Sequence, residues 1–316
     1  MSDLPASVDV TEEGPREGFQ IEQGAISTAR KIALIDALSQ TGLKRIQIVS
    51  FVNPKAVPGM ADADDVVRGI AAKPGVAYTA LWLNEKGFAR ALKFSGRLAN
   101  TGTIQLCASE KFSLRNQNRT AAEQLAGQHA IVEIYKAAGV AVERGSIMAA
   151  FGCNFEGDVP AERVVALVRQ ILGLAKEHGV TLRYVTFADT MAWAMPLAIK
   201  RAVGSVRERW PELDVALHLH DTRGMAIANA YAGLEMGVTR FDSSVAGLGG
   251  CPFAGHRGAA GNVCTEDLVF MCDELGIETG IDLDALIECA KLAEDVVGHP
   301  LPGSVMKGGT LKRFRA

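Results

Sequence analysis

The sequence predicts a single α/β domain folded as a (β/α)8 TIM barrel with a C-terminal helical extension. Short β-branched runs alternate with longer amphipathic segments along the chain, and eight such pairs can be placed in its 316 residues. No Pro/Ser-rich linker divides the sequence. Eight βα pairs in one domain of this length favour a closed barrel over an open sheet. We expect one domain over residues 1–316, with the barrel at about 8–265 and the C-terminal helices at about 265–300.

The predicted strands are short runs rich in Val, Ile and other residues that favour extended backbone. In chain order they are Val8 to Glu13, Arg45 to Phe51, Ala77 to Leu83, Thr103 to Ser109, Gly145 to Phe151, Leu182 to Asp189, Val215 to Asp221 and Arg240 to Val245.

The predicted helices between the strands carry apolar residues on one face. One begins at "STARKIALIDALSQTG", where Ile32, Ile35 and Leu38 recur at helical spacing. A second spans "PAERVVALVRQILGLAKEHG" and begins near Pro160 and ends before Gly179, positions typical of helix starts and stops.

Composition and charge exclude several classes of protein. The chain is 48% hydrophobic and 22% charged with a net charge of -3, so it lacks the basic surplus of a nucleic-acid-binding protein. No apolar run reaches the roughly 18 residues of a membrane span. The acidic N-terminus has no basic segment followed by an apolar core, which predicts a cytoplasmic protein.

The six cysteines are scattered, without a CxxC pair or the spacing of a zinc site. We expect free thiols in a reducing compartment, most of them acting as small apolar core residues. They are Cys107, Cys153, Cys251, Cys264, Cys272 and Cys289.

Polar residues follow several predicted strands, where a barrel gathers its chemistry. His218 and His220 flank Leu219 on a strand, so the period of two places both imidazoles on one face as a pair of metal ligands. Hydrogen-bonded core histidines are the alternative, which the following Asp disfavours. Arg16 and Glu17 follow Pro15 near the end of the first strand, where they would add a guanidinium and a carboxylate to the site. The same two residues are equally compatible with a surface loop that only forms ion pairs.

Two further strand ends add candidates. Asp189 ends "RYVTFAD" and is either a catalytic carboxylate or an N-cap of the next segment. The segment "GLGGCPFAGHRGAAGN" contains six glycines and must be a loop, because so many glycines leave no apolar face to bury. A lone thiol, Cys251, lies within it.

Together, these motifs resemble the 3-hydroxy-3-methylglutaryl-CoA lyase family of the DRE-TIM metallolyase superfamily. The matching segments run in the same order from about Val8 into the 290s: "GPREGFQ", "SFVNPKAVPGMAD", "FADT", "HLHDTRGMAIAN", "FDSSVAGLGGCPFA" and "GAAGNVCTEDLVFM". The glycine loop with its cysteine is the specific part, since related synthases and aldolases share the other motifs only.

The resemblance implies a role for each matching residue. Glu17, His218, His220 and Asn262 match the family's ligands to a divalent metal ion, Mg2+ or Mn2+. Arg16 matches the arginine that stabilises the enolate oxygen, Asp189 an acid near the reacting hydroxyl, and Cys251 the thiol that protonates the carbanion when the loop closes over the barrel mouth. His218 and Gln47 also belong to the expected catalytic set.

Two substitutions and one insertion depart from the family pattern. The family has Asp where this chain has Glu17, and Glu where it has Gln47. The loop is two residues longer, which adds His256 and Arg257, and we assign these with Asn53 to the substrate or the loop. These departures bear on the substrate more than on the type of reaction.

The expected activity is a metal-dependent retro-Claisen cleavage of an acyl-CoA substrate, with 3-hydroxy-3-methylglutaryl-CoA leading and acetyl-CoA and acetoacetate as products. The alternatives are a lyase for a related 3-hydroxyacyl-CoA, a Claisen-type synthase, and a non-enzymatic binding protein with a damaged site. We expect no nucleic-acid or membrane partner. The oligomeric state stays open, with a homodimer or homotetramer compatible with the sequence.

Overall fold

Strands and helices alternate along the chain in the predicted order. The structure is a computed structural model that describes residues 4–22, 24–250 and 260–315. Its strands are β1 (Asp9–Glu12), β2 (Arg45–Ser50), β3 (Ala77–Leu81), β4 (Gly102–Cys107), β5 (Val142–Met148), β6 (Gly152–Cys153), β7 (Gly157–Asp158), β8 (Tyr184–Asp189), β9 (Asp214–Leu219) and β10 (Arg240–Ser243).

Helices follow most of these strands. They are α1 (Gly14–Ile21), α2 (Thr28–Ser39), α3 (Ala63–Gly69), α4 (Glu85–Leu92), α5 (Glu110–Gln117), α6 (Ala121–Ala137), α7 (Ala161–Glu177), α8 (Pro196–Arg207), α9 (Ala226–Glu235), α10 (Thr265–Leu275), α11 (Leu283–Val297) and α12 (Val305–Gly308). Short 3-10 segments lie at Pro58–Met60, Val245–Gly247 and Lys312–Phe314.

Each of the eight predicted runs overlaps a strand, and most of the strands are a residue or two shorter than predicted. The strands β4, β5 and β9 begin before the predicted runs, β5 at Val142 rather than Gly145. Among the strands of the described residues, only the antiparallel pair β6 and β7 was not expected from the sequence. The two predicted helices are α2 and α7, with Ser27 as the N-cap of α2 and Pro160 as the N-cap of α7. In the described part of the chain, no helix has both the length and the apolar composition needed to cross a membrane.

The chain divides into two compact units, which we call the terminal unit (residues 6–100 and 241–316) and the central unit (residues 1–5 and 101–240). In the terminal unit the strands lie in the order β3, β2, β1, β10. β1 and β2 are parallel, with Thr11 opposite Arg45, and β2 and β3 are parallel, with Arg45 opposite Ala77. α2 covers this unit's core with the fully buried Leu34, Ile35 and Leu38.

In the central unit the strands lie in the order β9, β8, β5, β4, and all of these neighbours are parallel. Asp189, the last residue of β8, is opposite Leu219, the last residue of β9. The carboxyl ends of both strands therefore lie at one edge, which places Asp189 beside the HxH pair. Val164, Val168 and Ile171 of α7 are fully buried, as the helical periodicity predicts.

Candidate active site

Arg16 and Glu17 lie on the helix α1 rather than in a loop, so the interpretation of a surface ion-pairing loop is wrong. Pro15 sits at the start of the helix, where its missing N–H costs no hydrogen bond. Gly18 lets the helix approach Leu248 closely, because a Cβ at this position would lie 2.2 Å from Leu248 Cγ. The helix thereby directs buried charged side chains into the terminal unit.

The guanidinium of Arg16 is held by two side chains. Its Nη2 donates to Glu13 Oε2, and its Nε donates to the amide oxygen Oε1 of Gln47. The side chain of Arg16 is only 12% exposed and that of Glu13 only 2%, so little water screens this ion pair. The structure thus brings Arg16 together with Gln47 and adds Glu13, which sequence reasoning missed.

Glu17 lies beside Asn262 in the same unit. Asn262 donates a hydrogen bond from Nδ2 to Glu17 Oε2 over 2.7 Å. Asn262 is fully buried, and its Oδ1 has no hydrogen-bond partner in the described part of the chain. A buried amide oxygen without a donor is costly in an apolar interior, and it is also a ligand that Mg2+ and Mn2+ accept.

Gly249 leaves the space that Glu17 occupies. Its φ of +124° is a conformation that side-chain-bearing residues rarely adopt. A Cβ at Gly249 would also lie 3.0 Å from Glu17 Cγ. Glycine is therefore required at position 249 to leave space for the Glu17 side chain. This requirement is separate from any backbone freedom that Gly249 gives the loop.

Glu12 stabilises the start of α1, the helix that carries Arg16 and Glu17. Its carboxylate accepts from Gly14 N at 2.7 Å, from Val245 N at 2.9 Å and from Thr265 Oγ1 at 2.6 Å. Burial, only partly offset by these donors, raises the pKa of Glu12 to about 7. The sequence offered only one signal of its role, the acidic pair before Gly14.

In the central unit, His218 and His220 face each other, as the alternation along β9 predicts. Nε2 of His218 lies 3.2 Å from Nε2 of His220, and their ring centroids are 5.1 Å apart. His220 is buried and His218 is half-buried. Two imidazole nitrogens converging in this way can bind one cation.

Asp189 is fully buried at the end of β8. It accepts hydrogen bonds from Trp193 N at 2.7 Å and Ala194 N at 3.0 Å, so it caps the turn that leads into α8. Burial raises its pKa to about 6, although these donors and the two nearby histidines, His220 and His218, act to lower it. Asp189 therefore caps this turn, although the N-cap residue of α8 itself is Met195, and its role as a catalytic carboxylate stays a prediction.

Of the remaining predicted site residues, only Asn53 lies within the described ranges. Asn53 is exposed on a turn, where its side chain accepts from Lys55 N at 3.0 Å. Cys251, His256 and Arg257 fall in 251–259, outside the described residues. The two stems of their loop lie together, because Gly261 N donates to Gly247 O over 3.2 Å.

The five described cysteines are free and buried, which confirms that they are core residues. Burial raises the pKa of Cys107, Cys272 and Cys289 to about 12. Thiols of this kind are unreactive.

Imidazole, carboxylate and amide donors at the strand ends of an α/β fold are typical of metal-dependent enzymes. The HMGL-like family model matches residues 7–293. The hydroxymethylglutaryl-CoA lyase YngG of Bacillus subtilis is 39% identical over 300 residues, which cover 94% of this chain and 96% of that protein.

The solved structures of two such lyases superimpose on nearly all of this chain. The hydroxymethylglutaryl-CoA lyase of Pseudomonas aeruginosa superimposes with a TM-score of 0.88 at 38% identity and covers 100% of both chains. An HMG-CoA lyase of A. baumannii in complex with coenzyme A and 3-methylmalate gives a TM-score of 0.86 at 40% identity, covering 98% of this chain and 97% of that one. The chain belongs to the HMGL-like family, and the predicted (β/α)8 barrel is confirmed as its fold class.

Proposed function

We propose that this chain is a metal-dependent carbon–carbon lyase that cleaves 3-hydroxy-3-methylglutaryl-CoA, or a closely related 3-hydroxyacyl-CoA, by a retro-Claisen reaction. The observation that carries the proposal is the Glu17–Asn262 pair, which leaves a buried amide oxygen available as a ligand in a chain of this family. Relatives named as hydroxymethylglutaryl-CoA lyases cover most of the chain, and one of them binds coenzyme A.

The donor set fits a divalent ion. In the terminal unit, Asn262 uses its amide nitrogen on Glu17 and keeps Oδ1 for another partner. In the central unit, His218 and His220 converge through their Nε2 atoms. By their match to the family's metal ligands, Glu17, Asn262, His218 and His220 would hold the ion, and oxygen donors mixed with imidazole suit Mg2+ or Mn2+. When bound, such an ion polarises a substrate carbonyl and lowers the pKa of a coordinated hydroxyl.

The protein's own groups account for the proton and charge transfers. Asp189 takes the proton of the tertiary hydroxyl, and as the C–O bond becomes a ketone the bond between C2 and C3 breaks. Its electron pair stays on C2 of the acetyl-CoA fragment as an enolate, whose oxygen Arg16 stabilises. A proton from Cys251 to C2 completes acetyl-CoA and leaves acetoacetate as the second product.

Gln47 gives Arg16 a neutral partner. The guanidinium already has one anionic neighbour, Glu13, which neutralises its charge in a buried place. A second carboxylate at position 47 would compete with the enolate for the same N–H groups. A neutral amide oxygen positions Arg16 through Nε without adding charge.

A lyase for a related 3-hydroxyacyl-CoA is the second candidate, favoured by the departures at Glu17 and Gln47. A Claisen-type synthase is less favoured, because the relatives found at about 40% identity are named as lyases. The choice of Mg2+ or Mn2+, a dimeric or tetrameric assembly and a cytoplasmic location stay predictions.

The test is to incubate the metal-loaded protein with a panel of 3-hydroxyacyl-CoA esters and to detect released acyl-CoA by mass spectrometry. Release of acetyl-CoA from the 3-hydroxy-3-methylglutaryl ester is expected, and it should disappear in Arg16→Gln. Preference for another ester would favour the second candidate. No cleavage of any ester by a folded, metal-loaded protein would contradict the proposal.

A further inference from the structure

Two histidines of the central unit meet on its surface, away from the candidate active-site residues. His129 lies on α6, and His178 directly follows α7. Nδ1 of His129 lies 2.9 Å from Nε2 of His178, and the ring centroids are 5.1 Å apart. The side chain of His129 is 41% exposed, so solvent and ions reach the pair.

Each imidazole has a carboxylate near its other nitrogen. Nδ1 of His178 donates to Glu133 Oε1 over 2.6 Å. Nε2 of His129 lies 3.9 Å from Glu177 Oε2. A carboxylate favours a proton on the nitrogen that faces it, and this fixes the tautomer of a metal-ligating histidine in many proteins. Glu133 therefore fixes His178 with its proton on Nδ1, and Nε2 of His178 accepts a hydrogen bond from Nδ1–H of His129. Glu177, at 3.9 Å, is too far to fix the tautomer of His129.

The 2.9 Å contact is an ordinary N–H···N hydrogen bond, with the proton of His129 Nδ1 between the two rings. If that proton moves to Nε2 of His129, which faces Glu177 and solvent, both inner nitrogens present lone pairs to the same point. A metal ion bound by both nitrogens can then take the place of the proton. Glu133 and Glu177 lie near the outer nitrogens in either case and favour a cation, and Lys136, which pairs with Glu133, offsets part of this charge.

The spacing is close to that of a metal-bound pair. With Zn–N bonds of about 2.05 Å and tetrahedral angles, two ligand nitrogens are about 3.3 Å apart. The nitrogens here need to separate by only roughly 0.4 Å on that basis. His218 and His220, the pair proposed to hold the catalytic ion, have the same centroid separation of 5.1 Å.

The backbone holds both histidines in place. α6 and α7 both pack on β4 and β5, so they rest on one sheet. His178 N donates to Leu174 O, and the following Gly179 closes the end of the helix with a φ of +65°. Little backbone movement is therefore needed to present the two rings to an ion.

We propose that His129 and His178 form a second metal site, which binds a borderline transition ion of the Zn2+ class between α6 and α7. The two imidazoles are the protein ligands, and water completes the coordination. Glu133 orients His178 from the outer shell, although Lys136, 3.2 Å from the same oxygen, competes for it. Imidazole is a ligand suited to Zn2+, Cu2+ and Ni2+ and less to Mg2+, so the site selects against the ion proposed for catalysis.

The experiment counts Zn2+ bound to the untagged protein in excess Mg2+, by equilibrium dialysis and competition with a chromophoric chelator. His129→Gln should lose one equivalent of Zn2+, or bind it at least tenfold more weakly. Glu133→Gln should lower the affinity for this Zn2+ ion about tenfold, because loss of a side chain that hydrogen-bonds to a metal ligand typically has an effect of this size. His299→Gln, which removes an exposed histidine paired with Glu22, should bind like the native protein.

Equal stoichiometry and affinity in His129→Gln and the native protein would overturn the proposal and leave only the hydrogen bond between the two rings. A loss in His299→Gln as large as in His129→Gln would also overturn it, since the binding would then be unspecific. The Co2+ complex gives a second readout, because its visible absorption should change in His178→Gln while far-UV circular dichroism shows the variant folded. The result does not depend on lyase activity, so it is independent of the proposed function.

Discussion

Asn262 holds Glu17 through a 2.7 Å hydrogen bond from Nδ2 to Oε2, which uses the nitrogen of the amide, while the amide oxygen has no donor among the described residues. The bond orients two candidate oxygen ligands with one contact. It would also allow a glutamate to act as the proposed metal ligand where the family has an aspartate, because the longer side chain is anchored at its end.

Gly249→Ala should displace this pair. The new Cβ would meet Glu17 Cγ at 3.0 Å, and the φ of +124° would be strained. We expect the affinity for Mg2+ or Mn2+ to fall about tenfold or more, measured by titration calorimetry. Gly96→Ala is the control, since a Cβ there would have nothing within 4 Å, and it should bind metal normally. Equal affinities in both variants would show that Glu17 does not depend on this space.

Glu266→Gln should change how stability depends on pH. Glu266 is fully buried with Ala246 N as a donor, and burial raises the pKa of its carboxyl to about 7. The folded protein therefore holds a proton between pH 4.5 and 7 that the unfolded chain releases, so the free energy of unfolding falls as pH rises through this window. The effect is on the order of 3 to 4 kcal/mol, at about 1.4 kcal/mol for each pKa unit between 4.5 and about 7.

The measurement is Tm at several pH values from 5 to 8. The native protein should lose stability toward pH 8, and Glu266→Gln should lose less, while the buried Glu12 keeps part of the effect. Glu274→Gln, an exposed carboxylate of the same helix paired with Arg315, should behave like the native protein. Parallel curves for native protein and Glu266→Gln would contradict this account.

The strands were predictable because buried runs rich in β-branched residues decide them, and each of the eight runs overlaps a strand. The helix α1 was not, because Gly14 and Gly18 weaken its local preference for helix and only the close approach to Leu248 shows why glycine is there. The HxH pair followed from the period of a strand. The roles of Glu12 and Glu13 did not follow, because a sequence predicts that glutamates are exposed and both are buried here.

Asp189→Asn should abolish most of the activity. As the proposed base, Asp189 acts only when ionised, so kcat/KM should rise as pH increases through about 6 and level off above it. The variant should lose about 10²- to 10⁴-fold in kcat and lose this rise with pH. Asp282→Asn, which alters the N-cap of α11, should keep both. If the rise persists in Asp189→Asn, a histidine is the base instead.

Cys251→Ser tests the thiol of the glycine loop. A hydroxyl is a far weaker acid than a thiol, so protonation of the enolate should slow by orders of magnitude while metal content and folding are unchanged. Oxidation of the native protein should inhibit in the same way, because the five described cysteines are buried. Unchanged turnover in Cys251→Ser would show that the thiol has no part in the reaction.

The two departures from the family are best tested together. Glu17→Asp shortens the carboxylate that Asn262 holds, and it should weaken metal binding because the anchored oxygen is withdrawn. Gln47→Glu adds a carboxylate to Arg16, which already pairs with Glu13, and it should lower kcat because the guanidinium is drawn from the enolate. If the two positions compensate each other, the double variant should recover part of each loss, with a coupling of about 0.5 to 3 kcal/mol.

The cycle of single and double variants is measured by metal titration and by kcat/KM with 3-hydroxy-3-methylglutaryl-CoA. Harmless, additive single changes, in a native protein that cleaves this ester at ordinary enzyme rates, would mean that Glu17 and Gln47 do not mark a shifted substrate.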